Sequence, residues 1–313
     1  MKKKMCFLLL ILLISGCASD ATIVADNGES ESVSAENPDP DTLTEGIIVF
    51  EAGEQGLLGD LFIINADGSG LKKLLESSEY GYQHFGYPDW SPDGEKIVFS
   101  ALGPPWETIV ADADGSNMQV IAGAEGGQHP EWSPDGKKIA FSVWGDSLDI
   151  FIINADGSGL SQVVGSEAHE MDPSWSLDGT KLAFYRFDPG ESSEIFTIDI
   201  DGENLTQITF DEAEDWSPSW SPDGARIAYL KKVESDNYNE LWVVDLVSEV
   251  HTQLTTKADY PGMSAFPGVS WSPDGEGIVF AAEGRILTLS FGDEYSIEEI
   301  YNGFAFTGYP SWK

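Results

Sequence analysis

The chain has 313 residues and carries 54 acidic against 16 basic side chains, which gives a formal net charge of −38. A surface this acidic repels phosphate groups and therefore argues against nucleic acid or an anionic membrane surface as a partner. Cations and basic partners remain open, although an acidic surface also promotes solubility in itself.

Residues 1–16 are predicted to be an export signal. Three lysines at positions 2–4 precede an apolar run over residues 7–14, which is too short to span a membrane and ends in small residues. The segment Ile-Ser-Gly-Cys at positions 14–17 resembles a bacterial lipobox, and this resemblance implies cleavage before Cys17 and attachment of lipid to its sulfur. We expect Cys17 to be the lipidated mature N-terminus; the alternative is an ordinary signal in which Cys17 is incidental.

Residues 17–45 are predicted to be a disordered acidic tether. The segment is rich in Ser, Asp, Glu, Asn and Pro and has no aromatic side chain, so it lacks the apolar surface that a fold needs. A lipid on Cys17 would hold residues 46–313 at the outer face of a bacterial membrane through the anchor alone. The only other cysteine, Cys6, lies in the signal, so the remaining domain is expected to have neither a disulfide nor a thiol nucleophile.

A motif centred on tryptophan recurs six times in the rest of the chain. In five copies a Pro lies shortly before the sequence Trp-Ser-(Pro/Leu)-Asp-Gly, and consecutive copies are 41 to 51 residues apart. The repeated tryptophans are Trp90, Trp132, Trp175, Trp220, Trp271 and Trp312. A period near 40 residues is typical of propellers. We interpret these tryptophans as structural residues that bury large apolar surfaces.

Residues 130–164 show the repeated unit most clearly. Residues 130–132 are predicted to form a short first strand, and Ser-Pro-Asp-Gly at 133–136 a turn in which Pro presets φ and Gly takes a conformation that a side chain resists. Alternating apolar residues predict strands two and three at 138–142 and 149–153, and strand four follows at 159–164. The same order in every copy predicts six four-stranded antiparallel units.

The two ends of this region predict how the ring closes. Residues 46–50 match the second strand of a unit, whereas residues 309–313 match a first strand. We therefore predict an all-β fold, a six-bladed β-propeller over residues 46–313, in which the C-terminal strand joins the N-terminal blade.

This repeat resembles that of the TolB-like, WD40-like (PD40) β-propeller family. The resemblance covers residues 46–313 and rests on the five near-complete copies of Pro-x-Trp-Ser-Pro-Asp-Gly. It implies a propeller of the kind found in a periplasmic protein and beside peptidase domains. Leu177 departs from the family pattern, since it replaces the Pro of the turn.

Sequence motifs for catalysis are not found. The chain has no Gly-x-Ser-x-Gly of the α/β-hydrolases and no phosphate-binding Gly-x-x-x-x-Gly-Lys-(Ser/Thr). His169-Glu170 begins like a zinc-protease motif but lacks the second His. We therefore expect no enzymatic activity.

Three of the four histidines form the one candidate metal site. His84 and His169 each lie four residues before a repeat Pro, and His129 lies directly before Pro130. These positions lead into the innermost strand of a blade. The imidazoles are therefore candidates to meet at the mouth of the channel and bind Zn²⁺ or Mn²⁺. Glu125 or Glu214 would complete such a site. The alternative is that the histidines lie separately at a polar rim.

Two further patterns have both a structural and a functional interpretation. Asp-x-Asp-Gly and Asn-x-Asp-Gly turns resemble the start of a calcium loop, but the Gly is misplaced and no bidentate Glu follows, so hairpin turns are favoured. Five aromatic residues near loops would either form an exposed binding face or cap the blades. They are Trp106, Trp144, Trp216, Phe187 and Tyr238.

Together these patterns predict a monomeric, non-catalytic binding or scaffolding propeller in the bacterial cell envelope. It would recognise an envelope protein, a peptide or a glycan through one end of the ring, and it would need no cofactor. The alternative is a metal-assisted carbohydrate-active enzyme, a lyase or hydrolase, that uses a divalent cation on the channel histidines.

Overall fold

The computed structural model describes residues 46–53, 59–103, 105–233, 238–256, 268–292 and 295–313. The predicted signal, the predicted tether and Cys17 lie outside these ranges. Within them the chain forms 24 strands and one short 3-10 helix at Ser77–Tyr80.

The strands form six antiparallel sheets of four strands, which are the predicted blades. Blade 1 contains β1 (Ile47–Gly53), β2 (Asp60–Asn65), β3 (Lys72–Leu75) and β24 (Phe306–Trp312). Blade 2 contains β4 (His84–Trp90), β5 (Lys96–Leu102), β6 (Trp106–Asp112) and β7 (Gln119–Val120). Blade 3 contains β8 (Gly127–Trp132), β9 (Lys138–Trp144), β10 (Leu148–Asn154) and β11 (Ser161–Val164).

The second half of the ring repeats this order. Blade 4 contains β12 (His169–Trp175), β13 (Lys181–Phe187), β14 (Glu194–Asp199) and β15 (Thr206–Gln207). Blade 5 contains β16 (Asp215–Trp220), β17 (Arg226–Val233), β18 (Tyr238–Asp245) and β19 (His251–Gln253). Blade 6 contains β20 (Val269–Trp271), β21 (Gly277–Ala282), β22 (Arg285–Ser290) and β23 (Ser296–Asn302).

The predicted closure of the ring is confirmed. Strand β24 pairs with β1 in the sheet of blade 1, with Trp312 opposite Ile48 and Gly308 opposite Glu51. Lys313 adds a contact to the next blade, because its Nζ donates a hydrogen bond of 2.8 Å to the carbonyl of Gly94. Blade 1 is thus formed by strands from both ends of residues 46–313, as the match of residues 46–50 and 309–313 to different strands of one unit predicts.

The hydrophobic core lies between the blades. Each of the six clusters of buried residues in the described ranges draws on two neighbouring blades. Alternation along β5 shows how this works: Ile97 and Phe99 pack toward blade 1, whereas Val98 packs toward blade 3. Successive side chains of a strand point to opposite faces, so every sheet can bury both of its faces only within the ring.

The repeat tryptophans contribute to this core to different extents. Trp90, Trp132, Trp175 and Trp271 are buried, whereas Trp220 and Trp312 are half-buried. The turns that follow five of them also have the predicted geometry. In the copy at 91–94, the Gly94 N–H donates a hydrogen bond of 2.7 Å to the carbonyl of Ser91, and Gly94 has a φ of 65°.

None of the helices in the described part of the chain is long and apolar enough to span a membrane.

Candidate functional site

The first strand of every blade faces a central channel. Strands β4, β8, β12, β16, β20 and β24 follow one another around the ring, each next to the inner strand of the neighbouring blade. They enclose a cavity of about 120 Å³ that is lined from all six blades. A second cavity of about 300 Å³ lies toward the Ser-Pro-Asp-Gly turns and shares part of the same wall, including Asp89 and Glu131. We refer to the two cavities together as the channel.

The inner strands carry an irregularity that the sequence analysis missed. In five of them the residue directly before the repeat Pro has a positive φ, between 44° and 58°. These five channel residues are Tyr87, His129, Asp172, Ser217 and Tyr309. The register of each of these five strands with its neighbour shifts across this residue and its Pro, as in a β-bulge. The prediction that the first strand of blade 3 begins at Pro130 is therefore wrong, since β8 begins at Gly127.

The bulges are energetically unfavourable by themselves. A side chain in the left-handed region costs roughly 1–2 kcal/mol, and a following Pro restricts the backbone further. Because the same conformation recurs in five blades, the ring as a whole must stabilise it. Strained residues of this kind cluster at binding and catalytic sites, where they set the direction of a side chain. Here the bulged residues all line one small cavity.

The sixth blade departs from this arrangement at Gly268. A Cβ atom at this position would lie only 2.7 Å from the Cα of Tyr309 and 2.9 Å from its ring. A residue without a side chain is required there because the backbone of the neighbouring inner strand approaches so closely. The absence of a side chain in blade 6 therefore makes space for Tyr309.

His129 lies at the centre of this group of side chains. Its ring is buried and contacts Tyr87 edge-on, with 3.9 Å between the ring centroids, and it stacks with Tyr309 at 5.4 Å. Its Nδ1 lies 3.3 Å from Oδ1 of Asp172, but neither ring nitrogen makes a hydrogen bond to the described residues. Burial lowers the pKa of His129, against the opposing effect of Asp172 and Glu51. In a neutral imidazole whose Nδ1 carries the proton beside Asp172, Nε2 is a buried acceptor that has no partner among the described residues.

A belt of hydrogen bonds joins each blade to the next at the repeat tryptophans. The residue before a repeat Trp accepts a hydrogen bond from the main-chain N–H of the Trp in the next blade. The five bonds are from Trp132 to Asp89 (2.8 Å), Trp175 to Glu131 (2.9 Å), Trp220 to Ser174 (3.1 Å), Trp312 to Ser270 (3.2 Å) and Trp90 to Ser311 (3.3 Å). At the sixth junction the indole N–H of Trp271 donates to the carbonyl of Ser219 at 3.0 Å. We call these acceptors the inter-blade belt.

Two neighbouring members of the inter-blade belt are acids. Burial raises the pKa of Asp89 to about 6, although hydrogen bonds from Trp132 and Ser311 oppose the shift. The pKa of Glu131 is raised well above its ordinary value, first by burial and then by the charge of Asp89. The channel therefore holds two carboxyl groups for which the loss of a proton is unfavourable.

The three candidate histidines do not come together as a group in the described part of the chain. In the described ranges, no three side chains of His, Cys, Asp or Glu lie close enough together to hold an ion. His84 and His169 begin their inner strands and instead bind the preceding blade: Nδ1 of His84 accepts from the N–H of Gly59 at 2.6 Å, and Nδ1 of His169 from that of Leu148 at 3.1 Å. Only His129 lines the channel cavity.

The carboxylates considered with the histidines also have other surroundings. Glu125 is exposed, and Glu214 forms an ion pair with Lys232. The second acid of each Asp-x-Asp-Gly or Asn-x-Asp-Gly turn bonds its own turn, as Asp156 does with the N–H of Ser158 at 2.9 Å. These contacts fit the structural interpretation of the turns.

The loop aromatics do not share one exposed face. Trp144 is 59% exposed, whereas Tyr238 is buried and packs in the core between blades 5 and 6 together with Trp216. Trp106 and Phe187 are half-buried against His84 and His169, respectively. Four of the five are thus at least partly buried.

The repeated strands, turns and closure agree with a known family. A family model described as PD40, TolB beta propeller domain, matches residues 47–287. The chain belongs to this family. None of the curated proteins compared with it is significantly similar in sequence.

Solved structures show the same fold at low sequence identity. TolB from Acinetobacter baumannii is 21% identical with a TM-score of 0.70, over 85% of this chain and 66% of that one. This PD40 chain thus spans slightly less than two thirds of the length of that protein. A putative TolB from Agrobacterium tumefaciens is 18% identical with a TM-score of 0.62, over 85% and 92% of the two chains. An oligogalacturonate lyase in complex with manganese is 14% identical with a TM-score of 0.51, over 82% and 74%.

Proposed function

We propose that this PD40 protein is a non-catalytic binding propeller of the bacterial cell envelope. It recognises an envelope protein, a peptide or a glycan through the channel. Residues 1–16 direct its export, and a lipid on Cys17 anchors it to the outer face of a membrane, with residues 17–45 as a tether.

The observation that carries this proposal is the set of bulged residues in the channel. Five strained residues from five blades turn toward a single cavity, among them a buried His129 whose ring nitrogens make no hydrogen bond. An unpaired buried polar group is unfavourable by roughly 1–3 kcal/mol, so the fold holds His129 at the cavity at a cost in stability. The free protein is thus preorganised for a ligand at this position.

The enzyme alternative has less support. The manganese-containing lyase is similar in fold, but a channel metal site in this chain would require His84, His129 and His169 to meet. His84 and His169 accept hydrogen bonds from the adjoining blades instead.

Blocking the channel tests this function. Ser219 lines both cavities, and in Ser219→Phe an aromatic ring would occupy the space between the inner strands. Full-length wild-type and variant protein, each immobilised through a C-terminal tag, are incubated with envelope extract, and the bound proteins and glycans are identified by mass spectrometry. We expect a defined species on the wild type and at least a tenfold loss on the variant. Equal capture by both proteins, with identical circular dichroism spectra, would contradict a role for the channel.

A matched control excludes a general effect of an added aromatic side chain. Ser296 is exposed on the outermost strand of blade 6, far from the channel in the order of the sheet. Ser296→Phe should retain the captured species. Loss of the captured species in both variants would show that an added aromatic side chain in general, rather than obstruction of the channel, prevents capture.

A further inference from the structure

The wall of the channel carries several acidic side chains and no basic one around the smaller cavity. The carboxyl groups of Asp89, Glu131 and Asp172 line the smaller cavity, and this lining contains neither Lys nor Arg. Lys313 lines only the larger cavity, where it lies over the ring of Trp90 and donates to Gly94.

Two serine hydroxyl protons are already used within the wall. Ser217 donates to Asp172 at 2.9 Å, and Ser311 donates to Asp89 at 2.8 Å. His129 adds a buried ring without a hydrogen-bond partner among the described residues. A ligand group that brings several donors can pair with the carboxyl oxygens of this wall.

The aromatic residues favour the same kind of group. Tyr87 and Tyr309 line the cavity, with their ring centroids 4.4 Å apart. The face of an aromatic ring attracts a cation, most strongly where water is excluded. Carboxyl groups and aromatic faces together are complementary to an organic cation.

The size of the smaller cavity limits the cation to a compact head group. At about 30 Å³ for each water in the liquid, 120 Å³ corresponds to the space of about four waters. A guanidinium group has four heavy atoms and five N–H donors, and an ammonium group is smaller with three donors. Both present donors only, which matches the acceptors of the wall.

We propose that the channel binds the guanidinium or ammonium group of its ligand, held between Asp89 and Glu131 and next to the ring of His129. This inference rests on the proposed function and specifies the chemistry that the channel recognises. The charged group comes either from a basic side chain of a peptide or from a small free amine.

Calorimetric titration of the full-length protein in 0.15 M salt tests the inference, because this salt concentration screens the general attraction of an acidic surface. N-acetyl-arginine amide is compared with N-acetyl-citrulline amide, which has nearly the same shape but no charge. We expect the arginine probe to bind at least tenfold more tightly. Equal affinities of the two probes for the wild type would overturn the inference, whatever the variants do.

Two double variants locate the binding. Asp89→Asn with Glu131→Gln removes both belt acids but keeps an acceptor for Trp132 and Trp175, and it should abolish the preference for arginine. Glu167→Gln with Glu298→Gln removes two exposed acids and changes the net charge equally, and it should retain the preference. Loss of the preference in both double variants, or in neither, would contradict binding between the belt acids.

Proton release provides a second measurement on the wild type. The groups that face the cation are Asp89, Glu131, Asp172, His129 and the two tyrosines. Because the pKa values of Asp89 and Glu131 are raised in the free protein, a bound cation should displace protons near pH 6. The heat of binding should then depend on the ionisation enthalpy of the buffer, and independence from the buffer would contradict contact with these acids.

Agmatine as a third probe distinguishes the sources of the cation. Tighter binding of agmatine than of the arginine amide indicates a small free amine, and similar affinities of the two indicate a site open to a side chain. Ser219→Phe could lose envelope capture while the wild type shows no preference for the arginine probe over the citrulline probe. That result would refute binding of a cation and leave the proposed function intact.

Discussion

Oδ2 of Asp89 in blade 2 accepts a hydrogen bond of 2.8 Å from the main-chain N–H of Trp132 in blade 3. The contact joins two features of this PD40 propeller, since Asp89 belongs both to the inter-blade belt and to the wall of the channel. A residue that helps to hold the ring together thus also contributes charge to the candidate site.

The stability of the protein should depend on the protonation of Asp89. Its pKa is raised from 3.8 to about 6, so the folded state binds a proton more tightly than the unfolded state, and this stabilisation is lost as the pH rises from about 4 through 6. Asp89→Asn should match the wild type near pH 4 and exceed its free energy of unfolding by about 3 kcal/mol at pH 7.5. Urea unfolding from pH 4 to 8 measures this difference, and a constant difference would contradict the raised pKa.

Ser311 should be important for ring closure. It lies in β24, accepts from the N–H of Trp90 at 3.3 Å and donates to Asp89 at 2.8 Å, so Ser311→Ala removes these two hydrogen bonds between blades 1 and 2. We expect a loss of about 1–3 kcal/mol in the free energy of unfolding, measured with urea. Ser296→Ala, at an exposed site on β23, is the control and should change it by less than about 0.5 kcal/mol. Equal effects of the two substitutions would count against the belt.

Leu177 should be replaceable by the Pro of the other turns with a gain in stability. It is 54% exposed and follows Ser176, whose carbonyl accepts from the N–H of Gly179 at 2.8 Å, as in the Pro-containing turns. Leu177→Pro should raise stability by about 0.4–1 kcal/mol because Pro restricts the unfolded chain. Thermal unfolding measures the gain. Leu177→Ala separates this effect from the loss of an exposed apolar side chain, and an equal gain with Ala would refute the explanation.

Cys17 should determine where the protein resides. If it carries the lipid, Cys17→Ala should move the protein from the membrane fraction to the soluble extracytoplasmic fraction and abolish incorporation of an alkyne-labelled fatty acid. Cys6→Ala is the control and should leave both unchanged. A Cys17→Ala protein that still incorporates the label would contradict lipidation at this residue.

The elements that follow local rules could be predicted from the sequence. Pro, Asp and Gly determine the turn at 133–136 through φ preferences and short hydrogen bonds, and alternation along residues 138–142 predicts a strand. Ring closure followed from matching residues 46–50 and 309–313 to two different strands of one unit. These features need only neighbouring residues or comparison among the copies.

The bulges and the inter-blade belt depend on contacts that are distant in sequence. A residue before Pro normally avoids the left-handed region, so nothing local predicts the positive φ of His129 or Tyr87. The bulge also explains why His129 reaches the channel cavity, whereas His84 and His169 start their strands and accept from the preceding blades. The repeated position directly before the Pro, with Tyr87, His129, Asp172, Ser217 and Tyr309, was the available signal.

Photo-crosslinking in living cells tests most directly whether the channel is the binding surface. Benzoyl-phenylalanine replaces Pro273, an exposed residue at the rim of the larger cavity, or Val247, which is 88% exposed in the outer hairpin of blade 5. We predict a discrete crosslinked product from position 273 and none from position 247. A product from position 247 alone would contradict recognition through the channel.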